Sequence, residues 1–322
     1  MKAWVTGAGG MMGQHLVRLL LEKGYSVLGT YYQPTTDIKQ LPKQAQIEEC
    51  DVRNRALVKK FLYDFKPDEI YHLAAQSYPT KSWEDPWYTI QTNVLGSVNL
   101  FEAVKELKKE FGLNPKIVSA CSSAEYGYVS EEQVPVKESM QPKPLHPYGV
   151  SKLAQEALAY QYYKNFNLHI VSFRIFNTTG PFKVNDVCAD LTHRLITIEK
   201  NLATNKNIEK KLRVGNTKAK RAITDVRDII NAFYIGLQKC PPGEVYNLSG
   251  EKVYQIEDII KILKTFVDFD FTTFVDPVLI RPTDEPIIYG DSTKFKNITG
   301  WKQEINLEKT LKDMLDFWRK VL

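Results

Sequence analysis

The stretch TGAGGMMG, residues 6–13, follows a short apolar run at the N-terminus and precedes a segment with helical apolar periodicity. It places Gly7, Gly10 and Gly13 at the spacing of a dinucleotide-binding turn. The first glycine permits a tight turn, the second lets a pyrophosphate approach the backbone, and the third allows close helix–strand packing. The helix N-terminus then offers N–H donors to phosphate. The stretch predicts a strand, a phosphate-binding turn and a helix, although a glycine trio alone is also found in ordinary turns.

Working outward, short apolar runs alternate with helical segments as far as Phe176. This alternation predicts βαβ units and an α/β fold with a doubly wound parallel sheet of the Rossmann type. After Phe176 the order loosens, and no long linker or internal repeat follows. We therefore expect a dinucleotide-binding domain of residues 1–178 plus 224–248, and a smaller, interleaved domain of residues 179–223 plus 249–322.

Ligands of an open sheet bind beyond the carboxyl ends of its strands. The second predicted strand ends in VLGTYYQ, without an acid near Thr30 to hold a ribose 2′-hydroxyl or an arginine to hold a 2′-phosphate, so NADP(H) is only mildly favoured over NAD(H). The segments CDVRN and HLAAQS are further candidates, although they could also be a helix cap and plain sheet packing. The predicted cofactor contacts are Gly7, Gly10, Met11, Met12, Gly13, Tyr31, Asp51, Val52, Leu73, Ala74, Ala75, Tyr148 and Lys152.

Composition limits the classes of function. The chain has 322 residues, 43% of them hydrophobic and 25% charged, and its net charge of +5 is spread along the sequence. This pattern predicts a globular protein with a solvated, slightly basic surface rather than a nucleic-acid-binding face, and an anionic small molecule would suit the charge balance equally well. The four cysteines are far apart, which predicts free thiols and no metal site. Because no signal-like or membrane-spanning apolar run is present, we expect no membrane partner and a cytoplasmic location.

The motif PYGVSK places Tyr148 and Lys152 four residues apart at the start of a predicted helix, so that both lie on one face. A lysine charge beside a tyrosine is expected to lower the pKa of the phenol and to let it exchange a proton with a carbonyl or alcohol oxygen. Ser122, at the end of the predicted strand KIVSACS, could hydrogen-bond the same oxygen. These three residues are the predicted catalytic groups; the alternative is a surface Tyr/Lys pair.

Taken in order, TGxxGxxG, HLAAQS, the strand-end serine and YxxxK resemble the extended short-chain dehydrogenase/reductase superfamily. FRIFNTTGP, VGNTKAKRAITDVRD, GEVYNLSG and RPTDEPIIYGDSTKFKNITGWKQEINLEKTL are similar to its GDP-mannose 4,6-dehydratase and GDP-4-keto-6-deoxy-mannose reductase branch. The resemblance implies an enzyme of deoxysugar synthesis, with a nucleotide-diphosphate sugar bound in the C-terminal domain. The substrate contacts that it implies are Ser123, Glu125, Asn177, Arg221, Arg281 and Asp284.

Two features qualify that resemblance. Surface ion pairs are the alternative for Arg221 and Arg281, and Ala222 replaces an aspartate that is common after the first of these arginines in the family.

The branch also implies a homodimer, in which the helices of YTIQTNVLGSVNLFEAV and SKLAQEALAYQYYKNF pair as a four-helix bundle.

The stretch SSAEYG, residues 122–127, separates the possible activities. Family 4,6-dehydratases carry an acid/base glutamate two residues before Tyr-Gly, and that position holds Ala124 here. Glu125 is adjacent, but in an extended backbone its side chain would point to the opposite face. We therefore predict an NAD(P)H-dependent reductase of a 4-keto nucleotide sugar. The alternatives are a dehydratase or epimerase with a tightly held, recycled cofactor, and a non-catalytic nucleotide sensor.

Overall fold

The computed structural model describes residues 1–204, 208–279 and 286–322. Its strands, numbered in chain order, are β1 (Lys2–Thr6), β2 (Ser26–Tyr31), β3 (Gln46–Glu49), β4 (Glu69–His72), β5 (Lys116–Ser122), β6 (Ile170–Ile175), β7 (Thr178–Thr179), β8 (Lys211–Val214), β9 (Lys220–Ala222), β10 (Thr224–Asp225), β11 (Val245–Leu248), β12 (Val253–Gln255), β13 (Thr272–Val275) and β14 (Ile287–Ile288). β1 lies immediately before the glycine turn, as the sequence predicts.

The helices cover both faces of the main sheet and form most of the C-terminal part. They are α1 (Met11–Glu22), α2 (Arg55–Phe65), α3 (Pro79–Glu84), α4 (Pro86–Ile90), α5 (Gly96–Phe111), α6 (Pro147–Phe166), α7 (Val187–Thr204), α8 (Val226–Lys239), α9 (Ile256–Lys264), α10 (Thr293–Thr299) and α11 (Leu307–Val321). A π-helical turn, Gln91–Leu95, joins α4 to α5. None of the described helices combines the length and the apolar character needed to cross a bilayer.

Seven parallel strands form the main sheet in the order β11-β6-β5-β4-β1-β2-β3. The chain crosses to the opposite side of β1 after β3, so the cleft at the carboxyl end of β1 is the switch point of a doubly wound sheet. β1, β4 and β5 are almost wholly buried, as expected for strands covered on both faces. The α/β prediction is confirmed.

Two hydrophobic clusters cover the sheet, one on each face. The first includes Leu16 and Val17 of α1 and Phe233 of α8, and the second includes Leu62 of α2 and Phe101 of α5. Helical apolar periodicity places these side chains toward the sheet. The strands are thereby held rigidly, with their carboxyl ends at one edge.

A separate cluster forms the core of the C-terminal part and packs α7, α9 and α11 around residues such as Leu195, Ile259 and Leu311. Phe295 and Trp301, which the predicted boundaries assigned to the second domain, instead pack in the first sheet cluster. The indole N–H of Trp301 also donates to the Asp228 carbonyl of α8 (3.1 Å). Apart from this segment, the two-domain division stays a prediction.

Candidate active site

A cleft of about 960 Å³ runs between the carboxyl ends of the sheet strands and the C-terminal part. One of its walls is the glycine turn. Gly7 has φ +75°, and its carbonyl accepts a hydrogen bond from the Gly10 N–H (3.1 Å). A Cβ on Gly13 would lie 2.4 Å from the Gly7 oxygen, so this turn and α1 require a glycine there. Because Gly10 is the N-cap and has no capping side chain, the first-turn N–H groups are available to a phosphate.

The ends of β1 and β4 approach each other closely beside this turn. A Cβ on Gly7 would lie 2.8 Å from the backbone nitrogen of Ala74. The Thr6 hydroxyl accepts from the N–H groups of Leu73 and Ala74, both at 3.2 Å. Leu73, Ala74 and Ala75 all line the cleft. These small, tightly held residues fit a flat ligand lying over the strand ends, as expected for a dinucleotide.

Tyr31, Asp51 and Val52 line one end of the cleft. Burial alone would raise the pKa of Asp51, but hydrogen bonds from the Arg53 side chain and backbone hold it below its ordinary value. The Arg53 guanidinium also lies 5.6 Å from the ring of Tyr32, just beyond β2. The sequence pattern does not indicate this contact, because Arg53 lies on the loop after β3 and not at the end of β2.

The three predicted catalytic residues all line the cleft. Tyr148 and Lys152 lie in the first turns of α6, and Ser122 ends β5 close enough to Tyr148 for its hydroxyl to affect the pKa of the phenol. The Lys152 ammonium donates to the Ala120 carbonyl (2.8 Å) and to the Gln155 side chain (2.9 Å). The folded chain therefore brings Ser122, Tyr148 and Lys152 together beside the glycine turn.

The expected lowering of the Tyr148 pKa is wrong for this structure. Burial raises the pKa of Tyr148 to about 12, and the hydrogen bond with Ser122 only partly offsets it. Burial also lowers the pKa of Lys152 to about 8, and its ammonium is held by Ala120 and Gln155. At neutral pH the phenol is consequently protonated, which suits a proton donor.

The SSAEYG turn differs from the extended backbone expected from the sequence, because residues Ser123–Glu125 form a 3₁₀ turn. Ser123 and Ala124 line the cleft. Glu125 is fully buried and bonds the Ser122 N–H (3.0 Å) and the Arg174 guanidinium (3.2 Å). The structure therefore does not place Glu125 at the substrate. The S-x-x-E spacing of a capping box was the signal in the sequence for this bond.

The other predicted substrate residues are placed as follows. Asn177 lines the cleft, and its buried side-chain nitrogen has no hydrogen-bond partner among the described residues, as expected for a group that meets a ligand. Arg221 of β9 lines the C-terminal side of the cleft and donates to the Lys220 carbonyl (2.9 Å). Arg281 and Asp284 lie outside the described residues.

Three further cations, which no sequence motif indicates, also line the cleft, namely Lys183, Arg194 and Arg213. Arg194 pairs with Asp190 on α7 (2.8 Å) and donates to the Arg213 carbonyl (3.2 Å). This (i, i+4) pair has the spacing of many surface helices, so the sequence offered no distinguishing signal. Together with Arg221 these groups make the C-terminal part of the cleft suitable for a diphosphate.

One cluster of possible metal ligands occurs in the described part of the chain. Donor atoms of Cys121, Glu125 and Glu156 lie within 4.8 Å of one another. Arg174 donates to both carboxylates of this cluster, at 3.2 Å to Glu125 and at 2.6 Å to Glu156. An ion pair therefore accounts for the arrangement.

Known proteins match this chain over nearly its whole length. The GDP-mannose 4,6 dehydratase family model matches residues 4–314. GDP-6-deoxy-D-mannose reductase of Pseudomonas aeruginosa is 28% identical over 318 residues, covering 98% of this chain and 97% of the relative. GDP-mannose 4,6 dehydratase 1 of Arabidopsis thaliana is 30% identical over 330 residues, covering 98% and 88% respectively.

Solved structures extend the similarity to reductases and epimerases. RMD from Pseudomonas aeruginosa, solved with NADPH, superposes with a TM-score of 0.85 at 26% identity over 100% of this chain and 99% of that one. UDP-glucose 4-epimerase from Thermotoga maritima, solved with UDP-glucose, gives a TM-score of 0.88 at 25% identity over 99% of both chains. The resemblance seen in the motifs thus covers the whole chain.

Proposed function

The chain belongs to the GDP-mannose 4,6-dehydratase family, and from this premise we propose that it is a reductase of a 4-keto nucleotide sugar. The proposed substrate is GDP-4-keto-6-deoxy-mannose or a close analogue. The proposed cofactor is NADPH, which supplies a hydride to C4 when bound. The rest of the reaction is a proton transfer, which residues of this chain carry out.

In this proposal, the Tyr148 phenol gives its proton to the C4 oxygen as the carbonyl becomes a hydroxyl. The Ser122 hydroxyl, which lines the cleft together with the phenol, donates to the same oxygen and stabilises the charge that develops on it. Lys152 holds its ammonium beside this pair and contributes a positive charge to cofactor binding. Asn177, Arg194 and Arg221 lie on the side of the cleft where the sugar diphosphate is held.

The observation that carries the reductase assignment is Ala124. A 4,6-elimination removes the C5 proton and protonates the departing C6 hydroxyl, so it requires an acid/base group beyond the Tyr–Lys pair. The family dehydratases have a glutamate at the position of Ala124, whose methyl group has no such chemistry. The neighbouring carboxylate, Glu125, is turned away from the cleft and bonded to Ser122 and Arg174. A reductase has no need of this group.

The remaining carboxylates in the described lining of the cleft each have a partner. Asp51 binds Arg53, Asp186 caps α7 through the Ala189 N–H (2.7 Å), and Asp190 pairs with Arg194. Burial raises the pKa of Tyr148 to about 12, so the phenol begins protonated, as a proton donor must.

NADP(H) is the proposed cofactor form for two reasons. The end of β2 carries Thr30, Tyr31 and Tyr32, without the carboxylate that bonds the 2′-hydroxyl of NAD. In addition, the Arg53 guanidinium lies beside Tyr32, which places a cation near this strand end. The NADPH complex of the Pseudomonas aeruginosa relative supports the same choice.

The second candidate is a dehydratase or epimerase with a recycled cofactor. It is favoured by the 30% identity to the Arabidopsis thaliana dehydratase and by the fold similarity to the Thermotoga maritima epimerase. Such an enzyme keeps its cofactor through turnover, whereas a reductase releases it oxidised. Assay of the native protein for retained cofactor therefore separates the two candidates.

The proposal is tested by NADPH oxidation across a panel of GDP-, dTDP-, UDP- and CDP-linked 4-keto sugars. We expect turnover with at least the GDP-linked 4-keto-6-deoxy sugar, together with a cofactor that dissociates during gel filtration. The control is GDP-mannose with NADP⁺ in deuterated water, which should give no 6-deoxy product and no deuterium at C5. Deuterium at C5 would contradict the reductase assignment, because it would show that an acid/base group serves that carbon.

A further inference from the structure

A buried charged cluster lies directly behind Ser122, on the side away from the cleft. The side chain of Glu125 is 0% exposed and that of Arg174 4%, while Glu156 of α6 is 15% exposed. Arg174 binds both Glu156 oxygens (2.6 and 2.8 Å) and donates to Glu125 (3.2 Å). Its guanidinium also donates to the Tyr126 hydroxyl (2.9 Å). Glu125 is thus held at a fixed position by a cation that is itself fixed.

The Glu125 oxygen that does not bind Arg174 accepts a hydrogen bond from Ser122, the last residue of β5. Glu125 Oε1 accepts from the Ser122 N–H (3.0 Å), and the Ser122 Oγ accepts from the Ala124 N–H (3.2 Å). These reciprocal bonds form a capping box on the 3₁₀ turn. They fix the peptide and the side chain of Ser122 at the point where β5 ends. Since Oγ is an acceptor in this arrangement, the hydroxyl proton of Ser122 remains available to donate.

We propose that Glu125 is a positioning residue for the reaction: through its bond to the Ser122 N–H, and braced by Arg174, it aims the Ser122 hydroxyl at the reacting oxygen. This inference rests on the proposed function only in assigning Ser122 to the C4 oxygen. Glu125 itself does not line the cleft and does not touch substrate.

The chemistry of the cluster indicates which substitution preserves the role. Burial and the neighbouring Glu156 carboxylate raise the pKa of Glu125. A neutral side chain is therefore compatible with this position. In Glu125→Gln the amide oxygen can accept from the Ser122 N–H and the amide N–H can donate to Glu156, while the Arg174 Nε–H loses its 3.2 Å bond to residue 125 but keeps its 2.8 Å bond to Glu156. In Glu125→Ala the Ser122 N–H loses its acceptor and the turn is free to shift.

The experiment compares Glu125→Gln and Glu125→Ala with a matched control, Glu69→Ala. Glu69 is also fully buried and accepts from the hydroxyls of Tyr25 (3.2 Å) and Tyr71 (2.8 Å), but it lies at the opposite end of β4 from the cleft. For each variant we would measure kcat, KM, the NADPH dissociation constant and the melting temperature. Amide hydrogen exchange of the peptide covering residues 119–126 provides a readout that does not depend on activity.

We expect Glu125→Ala to lower kcat by about 10- to 100-fold, because small misplacements of a catalytic group have effects of this size. KM and the NADPH dissociation constant should stay within about threefold, and exchange in residues 119–126 should be faster. Glu125→Gln should restore kcat to within about threefold of the parent. Glu69→Ala should lower the melting temperature without lowering kcat or changing exchange in that peptide.

A folded Glu125→Ala with parental kcat would overturn the proposal, as would a Glu125→Gln that is as slow as the alanine variant. If the alanine variant does not fold, Glu125→Leu takes its place, and failure of both to fold would show a purely structural role and would also overturn it. Should the parent enzyme prove to be an epimerase or dehydratase, the same kcat ratios are measured on that reaction. Failure of the reductase assignment is thus distinguished from failure of the role given to Glu125.

Discussion

The Tyr148 phenol carries the proton on which the proposed reduction depends. Tyr148→Phe removes that proton and keeps the ring, so packing against His146, whose ring lies 5.9 Å away, should be retained. We expect kcat to fall by about 10²–10⁴-fold, the usual contribution of one acid/base group. Binding of NADPH, measured by fluorescence titration, should be unchanged. A variant with kcat within threefold of the parent would show that another group donates the proton.

Lys152 should make cofactor binding depend on pH. Its pKa is lowered to about 8 by burial, so the ammonium is present below that pH and is lost as the pH rises through it. Because NADPH is an anion, it should bind the charged form more tightly, and its dissociation constant should rise about tenfold between pH 7 and pH 9.5.

The control for this prediction is Lys152→Met, which keeps the aliphatic packing and has no charge to lose. It should bind NADPH weakly and with a dissociation constant that does not change over the same pH range. A parent enzyme with equally flat binding would contradict the role given to the ammonium.

Single residues were the hardest features to predict from the sequence. Tyr148 and Lys152 were found because a four-residue spacing on a helix is a local signal. The upward shift of the Tyr148 pKa could not be predicted in this way, because it depends on burial by distant parts of the chain. Glu125 was assigned to the substrate, and its actual partner, Arg174, comes from β6 and could not be inferred from the turn alone.

Among the elements, the glycine turn with α1 offers a direct test, because its glycines serve different purposes. A Cβ on Gly10 would meet only the Gly7 oxygen at 3.5 Å, an ordinary contact, whereas one on Gly13 would lie 2.4 Å from that atom. Gly10→Ala should therefore fold normally, with a melting temperature within about 2 °C of the parent, but should bind NADPH at least about tenfold more weakly.

Gly13→Ala should instead destabilise the fold, because overpacking of this kind costs about 1–3 kcal/mol. Thermal unfolding of both variants without cofactor is the measurement. If Gly10→Ala were the less stable of the two, the steric account of the turn would be wrong.

Six of the seven strands of the main sheet could be predicted because each carries its own short apolar run, whereas β3, with Ile47 as its one apolar residue, has no such signal. The turn after β5 was predicted wrongly as extended backbone, since its three residues of 3₁₀ helix are set by a capping box rather than by periodicity. The position of Arg194 could not be predicted either. This residue of α7 lines the cleft only because the helix packs in the C-terminal cluster.

At the scale of the whole molecule, the exposed apolar residues of the predicted bundle helices support the proposed homodimer. Leu95, just before α5, is 50% exposed, and Tyr160 of α6 is 55% exposed. Light scattering at micromolar concentration should give a particle of twice the 37.0 kDa of one chain. The double substitution Leu95→Arg and Tyr160→Arg should give the mass of one chain.

The matched control for the dimer is Val278→Arg, because Val278 is 84% exposed and lies outside the two bundle helices. This variant should keep the mass of the parent. A parent protein that scatters as a single chain would contradict the dimer.

The parallel sheet, the cleft at its switch point and the presence of the three predicted catalytic residues in that cleft all follow from the sequence pattern. The positive charge of the C-terminal part of the cleft could not be predicted from that pattern. Its cations, Lys183, Arg194 and Arg213, come to the cleft only through the packing of that part of the chain. The sequence accordingly predicts a cofactor site in detail and a substrate site in outline.

The central claim, hydride transfer to C4 of a 4-keto sugar, is tested most directly by the position of an isotope. The enzyme is incubated with GDP-4-keto-6-deoxy-mannose and NADPH that carries deuterium at its transferable position, and the sugar product is analysed by NMR and mass spectrometry. The account predicts one deuterium in the product, bonded to C4, for each NADPH oxidised. A product without deuterium at C4, formed without net oxidation of NADPH, would contradict it.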